Sequence, residues 1–69
     1  MTAPYIERMK EELAQLADRT TKLSKFIAAN PKFKQLSADE RELMRDQQRT
    51  MIEYHDVLET RIVLAERSQ

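Results

Sequence analysis

A heptad pattern runs through residues 6–27, IERMKEELAQLADRTTKLSKFI, in the first half of the chain. Its seam positions alternate at spacings of three and four residues, which places them along one side of a helix. These positions are Ile6, Met9, Leu13, Leu16, Thr20, Leu23 and Ile27. The pattern predicts a long amphipathic helix that packs against a second helix.

Two prolines bound this predicted helix, and the chain contains no glycine to interrupt it. Pro4 suits the first helical turn, where a missing amide donor costs nothing. Pro31 disfavours a helical conformation at Asn30 and so marks the other end. Helix one is therefore predicted over about residues 4–29, followed by a short connector over residues 31–36.

A second helix is predicted over about residues 38–67, because Ser37 and Glu40 have the spacing of a capping box and no breaker follows. One seven-residue row of this helix is apolar, and the row beside it is polar or amphipathic. The apolar row is Met44, Met51, Leu58 and Ala65, and the polar row is Gln47, Tyr54 and Arg61. Apolar residues outside this seam, more than one partner helix can cover, are Leu43, Ile52, Ile62, Val63 and Leu64.

The predicted fold is all-α: a single domain formed by an antiparallel two-helix hairpin, because a short connector forces the helices to run in opposite directions. A chain of 69 residues without cysteine can bury only a small core and has no covalent staple. Oligomerisation can stabilise such a small domain, so a helical homo-oligomer is expected.

Several function classes fit this sequence poorly. The longest apolar runs are four residues, against about 20 needed for a membrane span, and no secretory signal is recognisable, so the chain is expected to stay in the cytoplasm. With one histidine, no cysteine and no glycine-rich loop, we expect no enzyme and no cofactor. His55 and Glu59 share a helix face, but two ligands make a weak metal site, so a structural histidine is favoured and no metal is expected.

The charges are distributed unevenly although the net charge is zero. Residues 1–34 carry seven Lys or Arg against four Asp or Glu, and residues 35–69 carry five against eight. Residues 19–38 contain no acid and hold Arg19, Lys22, Lys25, Lys32 and Lys34, with the hydroxyl side chains of Thr20, Thr21 and Ser24 among them. Such a stretch favours a compact phosphate ligand over a duplex nucleic acid, which needs more uncompensated charge.

Each candidate ligand-binding residue also has an ordinary structural interpretation. Arg19 and Lys22 are neighbours on one helix face that either hold a phosphate or form an ordinary solvated surface. Tyr5 either stacks on a nucleobase or serves as a staple or subunit contact. Arg61 either pairs with an acid of helix one, such as Glu7 or Glu12, or faces inward as an anion ligand.

Tyrosine, arginine, glutamine and methionine recur at helical spacings over residues 5–62. The segments are Tyr5-Ile6-Glu7-Arg8-Met9, Lys22-Leu23 with Phe26, Leu43-Met44 with Gln47, Met51 and Tyr54, and Leu58-Glu59-Thr60-Arg61-Ile62. This pattern resembles the phage anti-CBASS sponges, small helical hairpin proteins that sequester the cyclic oligonucleotide signals of bacterial immunity. The resemblance implies a homo-oligomer, a hexamer, in the host cytosol. It would bind cyclic dinucleotides between subunits without cleaving them, and some members also bind cyclic trinucleotides at a separate site.

The resemblance also implies roles for individual residues. Tyr5 matches an aromatic residue that stacks on a base, and Arg8 belongs to the same matching segment. Either Lys22 or Thr20 takes the register of a basic residue that meets a phosphate, and Arg61 matches an arginine of the trinucleotide site. Tyr5 and Arg19 are fourteen residues apart, about 21 Å along one helix, so a single small nucleotide that contacts both must lie between two subunits.

The expected function is therefore non-catalytic sequestration of cyclic oligonucleotides, with Tyr5, Arg8, Arg19, Thr20, Lys22 and Arg61 as ligand-binding residues. Two alternatives remain open. One is a structural or adaptor hairpin that docks a protein partner through its apolar row. The other is a weak binder of RNA or single-stranded nucleic acid, against which the zero net charge counts.

Overall fold

The structure, a computed structural model, describes residues 3–68, and its elements are all helices. Helix α1 spans Pro4–Ala29, α2 spans Pro31–Gln35 and α3 spans Ala38–Arg67. The all-helical prediction is confirmed. The connector after α1, however, forms a short helix of its own, so the described residues form three helices where the sequence predicted two.

Capping side chains explain where the helices begin. Asn30 is extended (φ −82°, ψ 122°), and its side chain accepts a hydrogen bond of 2.9 Å from the backbone amide of Lys32. Because Pro31 then occupies the first turn, the connector winds into α2. At the start of α3, the Ser37 hydroxyl accepts a hydrogen bond of 3.1 Å from the backbone amide of Glu40.

Helices α1 and α3 pack side by side and run in opposite directions. Near the start of α1, the Lys10 ammonium lies 2.9 Å from the carboxylate of Glu66 at the end of α3. Near the end of α1, Ser24 accepts a hydrogen bond of 2.8 Å from the side chain of Gln48 in the first half of α3. The seven heptad positions of α1 are all buried or half-buried, as their spacing predicts.

The seam of α3 differs by one residue from the sequence prediction. Its apolar row from Met44 to Ala65 faces α1, but the polar row predicted beside it is exposed. The second row of the seam is instead Arg41, Gln48, His55 and Ile62. These positions continue the same alternation of three and four residues that α1 uses, and they bury Ile62, whereas the predicted row would bury Arg61.

Short helix α2 covers one end of the helix pair. Phe33 is buried, its ring meets that of Phe26 edge-on at 6.2 Å between centroids, and the Arg45 guanidinium lies 5.2 Å from its ring centre. At the opposite end, Ile6 and Leu58 are fully buried. Within residues 3–68, none of the helices has the length and apolar character that a membrane span requires.

Candidate functional site

Three of the six predicted ligand-binding residues line one cavity at the α1 start and α3 end of the molecule. This cavity, which we call the tyrosine cavity, has a volume of about 230 Å³. Its lining residues are Tyr5, Arg8, Met9, Glu12 and Arg61. The structure thus brings Tyr5 and Arg61 together within one subunit, although the family resemblance assigns them to different ligands.

The helices position these side chains by their spacing. Tyr5, Arg8 and Glu12 lie three and four residues apart on α1 and therefore share one face of the helix. Arg61 reaches the same cavity from α3 because the two helices run in opposite directions. The cavity lies beside the best-packed part of the core. Ile6 follows Tyr5 directly, Leu58 precedes Arg61 by three residues, and both side chains are fully buried.

Glu12 is bound by Tyr54, not by an arginine. The Tyr54 hydroxyl donates a short hydrogen bond to the Glu12 carboxylate, and this bond is the main reason why the pKa of Tyr54 is raised above its ordinary value. The ion pair considered between Arg61 and Glu7 or Glu12 does not form: within the described residues, Arg61 has no ion-pair partner. Its guanidinium therefore remains available to an anion.

A second, larger cavity of about 530 Å³ lies near the middle of the helix pair, and we call it the hydroxyl groove. Its polar lining comprises Thr20, Thr21, Ser24, Lys25 and His55, and its apolar lining comprises Ala17, Ala28 and Ile52. Thr20, the fourth predicted ligand-binding residue, lies here and not beside Tyr5. The groove combines hydroxyl groups and a cation with an apolar wall, a composition that suits an amphipathic anionic ligand.

Two hydroxyl groups of the groove are already engaged. Thr20 donates a hydrogen bond of 2.7 Å to the backbone carbonyl of Leu16, so it must release that bond before it can donate to a phosphate oxygen. Ser24 accepts from Gln48 and keeps its own proton for a ligand. Of these two hydroxyls, Ser24 is thus the readier donor.

The remaining predicted residues, Arg19 and Lys22, line neither the tyrosine cavity nor the hydroxyl groove. Arg19 is exposed and donates a hydrogen bond of 3.4 Å to the Gln15 side chain. Lys22 lines a separate shallow cavity with Lys25 and Phe26, and its ammonium lies 2.9 Å from the Asp18 carboxylate. Asp18 lies one residue before the acid-free stretch, so an inspection of that stretch alone does not show the partner of Lys22.

His55, considered as a metal ligand, is half-buried against the hydroxyl groove. Its Nδ1 lies 3.5 Å from the Asp56 carboxylate. In the part of the chain that the structure describes, no three His, Cys, Asp or Glu side chains are grouped as a metal ion would require. His55 thus lies at the edge of the helix pair, between the hydroxyl groove and Asp56.

Sequence reasoning considered Glu12 only as an ion-pair partner of Arg61 and His55 only as a weak metal ligand, and it placed Met9 in the helix seam. A signal existed for Glu12, since it follows Arg8 by four residues and Tyr5 by seven, and so lies on the face that carries both. His55 follows from the corrected seam of α3, which turns that residue toward α1.

Comparison with known proteins identifies the family. The family model named Sequestin matches residues 3–64, nearly the whole chain, and the chain therefore belongs to the Sequestin family. No curated protein and no solved structure was found to match the chain.

Proposed function

We propose that this member of the Sequestin family binds and sequesters cyclic oligonucleotides without cleaving them. The observation that carries the proposal is the tyrosine cavity, where Tyr5 lies with Arg8 and Arg61. A tyrosine ring offers a stacking surface to any nucleobase, and two guanidinium groups match the geometry of phosphate. The family name supports sequestration, and the resemblance to the phage anti-CBASS sponges supports cyclic oligonucleotides as the ligand.

Binding alone would be the mechanism. A sponge lowers the concentration of a free messenger only when its sites outnumber the ligand and hold it tightly. Dissociation constants near nanomolar are therefore expected, corresponding to about 12 kcal/mol of binding free energy. No bond is broken in this scheme, so the protein acts stoichiometrically in the host cytosol, where it would oppose anti-phage signalling.

The functional unit in this proposal is a homo-oligomer of antiparallel hairpins, a hexamer if it follows the family that it resembles. Among residues 3–68, seven large apolar side chains are exposed: Tyr5, Leu43, Ile52, Tyr54, Val57, Val63 and Leu64. The accessible surface of 5330 Å² also exceeds the roughly 4500 Å² expected for a compact protein of 8.2 kDa. Association would cover part of this surface.

A site between subunits would join the tyrosine cavity of one subunit to the basic stretch of its neighbour. Tyr5 and Thr20 are separated by about 22 Å along α1, so one subunit would supply the tyrosine cavity and its neighbour would supply Arg19, Thr20 and Lys22. The Lys22–Asp18 pair is highly exposed on both sides, and such pairs contribute only about 0–1 kcal/mol. Lys22 can therefore leave Asp18 for a phosphate at little cost.

The direct test is calorimetry with cyclic di- and trinucleotides on the Tyr5→Ala variant. We expect cyclic dinucleotide binding to be lost while the helical circular dichroism is retained, because the Tyr5 ring is about half exposed and adds little to the core. Tyr5→Phe keeps the stacking surface and serves as the matched control. Unchanged affinity in Tyr5→Ala would show that the stacking role is wrong.

The exposed apolar face of α3 favours a second candidate, an adaptor that docks a protein partner. Leu43, Val57 and Leu64 are each more than half exposed, with fractional exposures of 66%, 56% and 54%. A surface of this kind suits another helix. This candidate predicts that the chain is indifferent to every cyclic nucleotide.

A further inference from the structure

The tyrosine cavity contains one carboxylate beside its two guanidinium groups. Glu12 lines the cavity with Arg8 and Arg61, yet it does not neutralise either of them. Over residues 3–68, the Glu12 carboxylate forms no ion pair, and its one hydrogen-bond partner is the hydroxyl of Tyr54. The cavity therefore offers separate cationic and anionic groups to a ligand.

The hydrogen bond from Tyr54 leaves most acceptor positions of the Glu12 carboxylate free. An ionised carboxylate has about four acceptor positions, and the Tyr54 hydroxyl occupies one. The Tyr54 phenol is a donor at neutral pH, since even the ordinary tyrosine pKa of 10.0 lies well above it, and the hydrogen bond to Glu12 raises that pKa further. Glu12 is itself exposed, so its other acceptor positions are open to a ligand in the cavity.

Each group in the cavity suits a different part of a nucleotide. The phosphate is attracted to Arg8 and Arg61 and repelled by Glu12, so the carboxylate must face the base. A volume of about 230 Å³ is below the ~300–1,000 Å³ of clefts that enclose drug-sized ligands, and it suits one base with its adjoining phosphate. The Tyr5 ring provides the stacking face for that base.

The bases differ in what they present to a carboxylate. The Watson–Crick edge of guanine carries two adjacent donors, the N1–H and the N2 amino group, and a carboxylate accepts both. The corresponding edge of adenine carries one amino donor beside the acceptor N1, which would face a carboxylate lone pair. A carboxylate in this position thus discriminates by the number of donors.

We propose that Glu12, positioned by Tyr54, makes the tyrosine cavity select guanine over adenine in the nucleotides it binds. This inference rests on the proposed function, since it concerns the base of the same ligand. Glu12 would contact the base directly, and Tyr54 would act as a positioning residue. The selectivity belongs to one subunit and does not depend on how many subunits assemble.

The test is calorimetry on the full chain with cyclic di-GMP and cyclic di-AMP. We expect the native chain to bind cyclic di-GMP at least about tenfold more tightly, the effect of one hydrogen bond to a charged group. Glu12→Gln should remove this preference by weakening cyclic di-GMP and leaving cyclic di-AMP unchanged. Tyr54→Phe should reduce the preference without weakening cyclic di-AMP, which a merely structural role would not do. Glu11→Gln, an exposed neighbour outside the cavity, is the matched control and should bind like the native chain.

The outcomes separate the two proposals. Equal affinity of the native chain for both ligands, unchanged in Glu12→Gln, would overturn the guanine preference and leave sequestration intact. Tighter binding of cyclic di-AMP by the native chain would also overturn it. If the native chain binds neither ligand nor any cyclic trinucleotide, the proposed function fails, and the inference fails with it.

Discussion

The hydrogen bond between Tyr54 and Glu12 joins the two long helices at the edge of the tyrosine cavity. Both residues are exposed, so the bond contributes more to the position of Glu12 than to the stability of the core. Its effect on ionisation has a definite sign. The bond stabilises the protonated phenol, so its contribution to folding is fully present below the ordinary tyrosine pKa of 10.0 and is lost as the pH rises through the higher pKa of the folded state.

This effect gives a titration experiment. The chain has two tyrosines, so Tyr5→Phe leaves Tyr54 as the only phenol, and its ultraviolet absorbance reports the ionisation of that residue. We expect a midpoint above 10.0 in this variant. Adding Glu12→Gln should move the midpoint back toward that value, because the negative acceptor is removed. A midpoint at or below the ordinary value, or one that Glu12→Gln leaves unchanged, would contradict the contact.

Much of the tyrosine cavity was predictable at the residue scale, and one part was not. The resemblance named Tyr5, Arg8 and Arg61, although their joint cavity depends on the antiparallel pairing of the helices. Glu12 was expected at most to pair with Arg61, because acidic residues on a helix surface usually pair with a base or stay solvated. Only the position of Tyr54 on the opposite helix shows which group binds it.

The helices themselves follow closely from local signals. Proline in the first turn, the Asn30 and Ser37 caps and the absence of glycine fix the ends of α1 and α3. The sequence did not reveal that α2 is helical or that Ile62 belongs to the seam of α3. The helical conformation of α2 depends on one capping hydrogen bond, which the Asn30 side chain accepts. The position of Ile62 in the seam depends on which of two adjacent rows of α3 faces α1, and the packing against α1 decides this.

Two leucines of α3 test the corrected packing of this helix. Leu58 is fully buried, so Leu58→Ala should lower the free energy of unfolding by about 2–5 kcal/mol. Leu43 is 66% exposed, so Leu43→Ala serves as the matched control and should change the free energy by less than about 0.5 kcal/mol in the isolated subunit. Chemical denaturation at low protein concentration measures both. Equal losses in the two variants would contradict the assigned face of α3.

At the scale of the whole molecule, the single subunit is a rod whose hydrophobic core is small. Its extents are 49 × 15 × 14 Å and its radius of gyration is 15.5 Å, against about 11 Å for a compact domain of this length. Among residues 3–68, five hydrophobic side chains are buried, and α3 leaves a row of apolar side chains in solvent. The sequence predicted this small core, since the chain is short and has no cysteine to form disulfides.

The central claim, an oligomeric sponge for cyclic oligonucleotides, is tested most directly by native mass spectrometry of the purified chain with and without a panel of cyclic di- and trinucleotides. This measurement reports the number of subunits and the ligand stoichiometry together. We expect a homo-oligomer that retains intact cyclic nucleotide at a fixed ratio to its subunits. A monomer or oligomer that retains none of the panel would contradict the account and favour a hairpin that docks a protein partner.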